Sequence, residues 1–154
     1  MILIIGGFAQ GKLHYVEQNY VHCEDGDEML VLDGMLKPVS DTSIAQAAVG
    51  EVQTMSEKQQ TGQQMSGLHV IVNHLHHYIR EQLWKGTDPE KAIADFLDEH
   101  PDCILICDEI GNGIVPMEAE ERNYRERTGR ILEQLAAQAD EVVRVICGIG
   151  QKLK

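Results

Sequence analysis

The chain has 154 residues, 43% hydrophobic and 25% charged, with a formal net charge of −12. That charge argues against a nucleic-acid backbone as partner, because such proteins displace counterions with basic patches, and it disfavours anionic membrane surfaces. No apolar run approaches the roughly 20 residues of a membrane helix, and the N-terminus shows neither a basic n-region nor a cleavage pattern, so one soluble, cytoplasmic domain over residues 1–154 is expected.

In chain order, residues 2–5 (ILII) read as a buried strand and residues 12–19 as a helix directly after it. Residues 20–23 are a candidate strand, ended by the acidic turn CEDGDE, and residues 29–33 (MLVLD) a further strand or a helix start. Residues 37–67 are rich in Ser, Thr and Gln. There Ser40 or Asp41 caps a helix through Ile44, Ala47, Ala48 and Val52, and SEKQQTGQQMSG reads as loop. Residues 68–72 (LHVIV) form a strand ending at Asn73, and a helix follows through Leu75, Tyr78, Ile79 and Leu83. Thr87, Asp88 and Pro89 start another helix, with proline in its first turn and Ala92, Ile93, Phe96 and Leu97 at core spacing.

Residues 103–107 (CILIC) are a strand ending at Asp108 and Glu109. After the loop IGNGIVP, a long helix over residues 117–139 carries the i,i+4 pairs Glu118–Arg122, Glu121–Arg125 and Glu126–Arg130. Residues 142–146 close as a last strand before GIGQKLK. Apolar strands separated by helices predict a parallel sheet covered on both faces. The four cysteines, Cys23, Cys103, Cys107 and Cys147, read as buried, reduced thiols. The C-x-x-x-C spacing of Cys103 and Cys107 is a weak sign of metal.

Three stretches carry chemistry. The first is GGFAQGK, between a buried strand and a helix. Gly6, Gly11 and Lys12 fit the phosphate-loop pattern G-x-x-x-x-G-K-[ST], but Leu13 stands where a hydroxyl would hold Mg²⁺. Backbone amides and the helix N-terminus would cradle phosphate there and Lys12 would neutralise it. The plainer reading is a tight turn with no ligand. The second stretch is CILICDE, a strand ending in acids that resembles the metal-holding strand of phosphoryl-transfer proteins, with Asp108 or Glu109 as the metal residue. The third is NHLHHYIR, where His74, His76 and His77 crowd a strand end. On a helix only 74 and 77 share a face, so partly exposed helix histidines are the plainer reading.

The final third of the chain, DEIGNGIVPMEAEERNYRERTGRILEQLAAQADEVVRVICGIGQKLK, closely resembles the C-terminal part of the bifunctional adenosylcobinamide kinase/adenosylcobinamide-phosphate guanylyltransferase family. The matching residues are Glu109, Gly111, Gly113, Ile114, Val115 and Pro116, then Arg122, Tyr124, Arg125, Gly129 and Arg130. Leu135, Ala136, residues 139–142 and residues 148–152 complete them. The opening MILIIGG…GK resembles the family's start, usually GG-x-R-S-G-K-S. The resemblance implies an α/β, P-loop NTPase-like three-layer sandwich with a mostly parallel sheet. It implies phosphorylation of adenosylcobinamide with GTP or ATP and Mg²⁺, then GMP transfer through a histidine–GMP intermediate, in cobalamin biosynthesis. It also implies a homo-oligomer, a trimer.

The sequence departs from the family at three places. Ala9, Gln10 and Leu13 replace the loop's Arg, Ser and closing Ser. The family's H-x-x-x-R-P segment after D-x-E-M has no counterpart: residues 25–29 resemble D-x-E-M, yet no histidine lies between His22 and His69. The strand that usually ends in an acid ends in Asn73, and an amide supplies no charge to metal. Two readings follow. In one, the protein is an enzyme with relocated groups, with His69, His74 or His77 as nucleophile. In the other, it is a non-catalytic nucleotide- or corrinoid-responsive paralogue or assembly protein. The resemblance assigns Gly6, Gly7, Gly11 and Lys12 to phosphate, Lys12 and His74 to catalysis, Asp108 or Glu109 to metal, and Asn73 to the mouth of the site. Arg122 and Arg125 face a neighbouring subunit, a phosphate or solvent.

Overall fold

The computed structural model describes residues 1–21, 29–36 and 69–154. The expected helix over 44–52, the loop over 56–67, the D-x-E-M-like stretch and Cys23 lie wholly or largely outside these residues. The described elements are β1 (Ile2–Gly6), α1 (Lys12–Asn19), β2 (Met29–Asp33), β3 (His69–Asn73), α2 (Leu75–Trp84), α3 (Pro89–Glu99), β4 (Ile104–Asp108), α4 (Ala119–Gln138), β5 (Glu141–Ile146) and β6 (Ile149–Lys152).

The strands form one sheet in the order β2-β3-β4-β1-β5-β6. All neighbours are parallel except β5 and β6, which are antiparallel. Period-2 alternation splits the apolar residues of each strand between two cores. Leu3, Val72, Leu105 and Val142 pack with Leu75, Ile79, Phe96, Tyr124, Ile131 and Leu135 beneath α2, α3 and α4. Ile4, Ile71, Ile106, Val143 and Val145 pack with Val16 of α1 on the other face. Both faces of the parallel strands are therefore covered, as continuous apolar runs predict.

Residues 20–23 do not form the expected strand in their described part: Tyr20 caps α1, its N–H bonded to the Val16 carbonyl, and Val21 lies in no element. Residues 29–33 are a strand, paired residue for residue with β3 from Met29–His69 to Asp33–Asn73. The GIGQKLK tail forms the antiparallel strand β6, which the sequence reading missed because glycine, glutamine and lysine carry no strand pattern. Asp88 accepts the Glu90 N–H ahead of Pro89, the start expected for α3. The Cys103 and Cys107 thiols are buried, and burial pushes Cys107 up to about 12. Cys103 sits just before β4 and Cys107 within it, four residues or about 13 Å apart along extended chain, too far to chelate one ion. Cys147 is exposed, contrary to expectation, because it takes a left-handed turn conformation (φ 51°) between β5 and β6.

The topology places β1 between β4 and β5, so the β4–α4–β5 connection passes over it. In such sheets ligands bind beyond the carboxyl ends of the strands where the order reverses. Gly6, Asp108 and Val145 lie side by side there, in register.

Candidate functional site

Gly6 is demanded by the sheet itself. A Cβ at this position would stand 2.4 Å from the Val145 carbonyl oxygen. The chain then turns through residues 7–11, with Ala9 (φ 56°) and Gly11 (φ 77°) left-handed, into the first turn of α1. The loop is tied from outside. The Gln10 side-chain oxygen accepts the Cys147 N–H at 2.6 Å, and the Gln10 carbonyl accepts the Gly148 N–H at 2.9 Å.

Lys12 does not extend into solvent. Its ammonium lies 2.5 Å from Asp108 Oδ1 and donates to the Gly7 carbonyl at 2.8 Å. Both side chains are nearly enclosed, 7% and 8% exposed. Asp108 is gripped in turn by His76. The Asp108 N–H donates to His76 Nδ1 at 3.3 Å, so the proton of the neutral ring resides on Nε2, which faces Asp108 Oδ2 at 3.7 Å. Burial lowers the His76 pKa to about 4 against the opposing pull of Asp108, with His77, His74 and Lys12 adding to the lowering. At neutral pH a neutral imidazole therefore stands beside the Lys12–Asp108 ion pair. Tyr124, buried behind, donates to the His76 carbonyl at 3.0 Å.

The three histidines are closer than helix-face reasoning allowed. His74 is not helical; it is the left-handed residue (φ 53°, ψ 45°) between β3 and α2. Its ring stacks on His77 at 5.1 Å and meets His76 at 5.7 Å, while His76 and His77 lie 4.2 Å apart. His76 is buried rather than partly exposed. His74 Nδ1 is 2.5 Å from Asp33 Oδ1 and 3.1 Å from the Asn73 amide. A carboxylate only accepts, so the Nδ1 N–H is the donor toward Asp33. Asn73 is buried at the end of β3. His69 lies at the opposite, amino end of that strand.

Glu109 turns away from Lys12. It pairs with Arg144 of β5 at 2.8 Å and approaches Asn112 at 3.4 Å. Arg122 donates to the Pro116 and Met117 carbonyls, at 2.9 and 2.5 Å, and Arg125 to the Ile114 carbonyl at 2.9 Å, clasping the 110–117 loop onto α4. Of the expected α4 pairs, Glu126–Arg130 closes at 2.6 Å and Glu121–Arg125 stands at 3.8 Å. A cavity of about 330 Å³ opens between Phe8, His76, His77, Arg80, Asp108 and Tyr124.

Sequence reasoning missed Asp33, the pairing of His76 with Asp108 and the tie that Gln10 makes to the β5–β6 turn. Asp33 had a readable signal, since it ends an apolar strand as Asp108 does. The pairing of His76 with Asp108 spans 32 residues and had none. Among the described residues no three His, Cys, Asp or Glu side chains converge as a metal cage. A Mg²⁺ ion bound through phosphate oxygens needs only one or two carboxylates, and the Asp108 carboxylate stands beside the loop lysine. Leu13 packs against the α1-side core rather than facing the loop.

A doubly wound sheet with a glycine-rich turn between its first strand and helix defines a P-loop NTPase-like α/β protein. Within that class, the family model for cobinamide kinase / cobinamide phosphate guanyltransferase matches residues 43–153, and the chain belongs to this family. The chain is 47% identical over 51 residues to the bifunctional adenosylcobalamin biosynthesis protein CobU of Salmonella typhimurium, and equally to that of Escherichia coli. The aligned stretch is 33% of this chain and 28% of each relative. The family match includes Asn73, His74, Asp108 and Glu109; the loop with Gly6, Gly7, Gly11 and Lys12 precedes it.

Proposed function

We propose that the protein is a nucleotide-using enzyme of cobalamin biosynthesis, acting on adenosylcobinamide as a kinase and guanylyltransferase. The observation that carries this is the enclosed Lys12–Asp108 pair at the carboxyl ends of β1 and β4. A cation held beneath a glycine loop is placed to exchange a carboxylate for a phosphate. Gly6, Gly7, Gly11 and Lys12 hold the phosphates of GTP or ATP, and Asn73 lies at the mouth. Asp108 holds Mg²⁺, with Glu109 as the alternative; the ion would neutralise charge on the transferred group. The cavity beside His76, His77 and Phe8 takes the acceptor alcohol.

His74 is the nucleophile for the nucleotidyl step. It stands on a strained strand-to-helix turn at the sheet's mouth, and Asp33 orients its ring through Nδ1. In that step Nε2 attacks the α-phosphorus of GTP, the P–N bond forms and pyrophosphate leaves. The acceptor phosphate then displaces His74 from GMP.

We place the protein in the cytoplasm, acting as a homo-oligomer, with a trimer as the expected assembly. The exposed apolar side chains Ile114, Val115 and Met117 support association. No described helix is long and apolar enough to cross a membrane. Calorimetric titration with GTP and ATP, with and without Mg²⁺, followed by turnover of adenosylcobinamide, tests the proposal; no binding of either nucleotide overturns it. Leu13 favours a second reading, a nucleotide-responsive protein without turnover. Nucleotide binding with no product would establish that reading.

A further inference from the structure

The cavity of about 330 Å³ taken to receive the acceptor alcohol is walled by Phe8 of the glycine loop and reaches Asp108. An alcohol that attacks a phosphoryl group must lose its proton, and a side chain placed to take that proton speeds the step. The groups on this wall with an oxygen or nitrogen that could accept it are His76, His77, Asp108, Glu109, Glu121 and Tyr124.

All but one are committed elsewhere. Asp108 Oδ1 meets the Lys12 ammonium at 2.5 Å, and Oδ2 faces His76 Nε2 at 3.7 Å. Glu109 pairs with Arg144 at 2.8 Å, and Glu121 accepts from Arg80 at 3.0 Å. His76 spends its lone pair at Nδ1 on the Asp108 N–H and its proton on the Asp108 carboxylate side. The Tyr124 hydroxyl donates to the His76 carbonyl, and burial raises its pKa, so it keeps its proton.

His77 is the exception. It lies on the exposed side of α2, whereas His76 is buried. Packing alone holds its ring. The ring stacks on His74 with centroids 5.1 Å apart and planes 22° apart, and its centroid lies 4.2 Å from that of His76. Its Cβ rests against the left-handed Gly34 (φ 63°), where an added Cβ would stand 3.4 Å away. Among the described residues no hydrogen bond or ion pair engages the ring. A neutral imidazole keeps a lone pair on one nitrogen, so this wall offers one positioned, unengaged base.

We infer that His77 is the general base of the phosphoryl step, an assignment that rests on the proposed function. The hydroxyl proton passes to the unprotonated His77 nitrogen as the alcohol oxygen bonds to the γ-phosphorus. The bond from that phosphorus to the bridging oxygen of the β-phosphate breaks, and GDP or ADP leaves. His77 then releases the proton to solvent. The nucleotidyl step has a phosphate as acceptor, with no hydroxyl proton to remove. His77 therefore serves one step and His74 the other.

The test measures the two steps apart: phosphorylation of adenosylcobinamide from γ-labelled GTP, and guanylylation of adenosylcobinamide phosphate supplied ready-made. His77→Gln should lower kcat of the first step about 10²–10⁴-fold with KM little changed, and should slow the second step far less. Imidazole added to His77→Ala should restore part of the first step. A ring that only supports His74 predicts otherwise: the second step falls as far as the first, and imidazole restores neither. That outcome, or a first step unmoved by His77→Gln in a protein whose wild type is active, overturns the base alone. A wild-type protein that phosphorylates nothing overturns the proposed function, and the base with it.

Discussion

Lys12 and Asp108, 96 positions apart in sequence, meet at 2.5 Å under the glycine loop with almost no solvent access. Removing one member of such a pair strands a buried charge, whereas removing both does not. Lys12→Met alone should lower stability by about 3–5 kcal/mol, and the double variant Lys12→Met/Asp108→Asn should recover most of that. Urea unfolding of the four proteins in the cycle reads the coupling. Additive losses would show that the two charges do not depend on each other.

His76 gives the protein a pH signature. Its pKa falls from 6.5 to about 4 on folding, chiefly because burial disfavours the charged ring. Between these values the unfolded chain binds a proton that the folded chain refuses. Stability is therefore full above pH 6.5, declines as pH drops toward 4 and levels below that. The shift corresponds to roughly 3 kcal/mol. The loss should be largely absent in His76→Gln. Denaturant midpoints at several pH values for both proteins measure the difference, and parallel curves would contradict the assignment.

If His74 is the nucleophile, α-labelled GTP should leave an acid-labile, base-stable label that His74→Ala abolishes. Asp33 lies 65% exposed, so Asp33→Asn should change stability by under about 1 kcal/mol while slowing labelling roughly 10–100-fold through loss of the ring's orientation. Label retained in His74→Ala would move the chemistry to another residue.

Arg122 and Arg125 hold the 110–117 loop by its carbonyls. Arg122→Ala should speed amide hydrogen exchange within that loop while the sheet amides stay protected. Unchanged exchange there would mean that the clasp is dispensable.

Gly6→Ala should cost about 1–3 kcal/mol, because the added methyl meets the Val145 backbone rather than a side chain that can turn aside. Thermal unfolding without ligand reads this directly. An unchanged melting temperature would mean that β1 and β5 can separate at no cost.

The sheet was legible where residues announce themselves locally. ILII, CILIC and HVIV are apolar throughout because parallel strands are covered on both sides. Asp88 and Pro89 mark a helix start by their own chemistry. The glycine turn after β1 was legible for the same reason, although Gly6 answers to Val145 as much as to any phosphate. What stayed hidden was long-range or contrary to local pattern. Nothing in NHLHHYIR says that His74 leaves the helix, and this one departure gathers the rings of His74, His76 and His77. The strand β6 was hidden because its edge position requires no apolar side chains. Arg122 and Arg125 were read by their charge, but they act through main-chain carbonyls, which no residue pattern records.

The bonds from Gln10 to Cys147 and Gly148 join residues 137 positions or more apart. A ribosome makes the chain from one end. The β5–β6 turn that pins the glycine loop emerges more than 130 residues after the loop itself. Until then β1 also lacks β5 at its side. The glycine loop is thus completed by a turn made far behind it, and the pocket mouth takes shape only once that turn is in place.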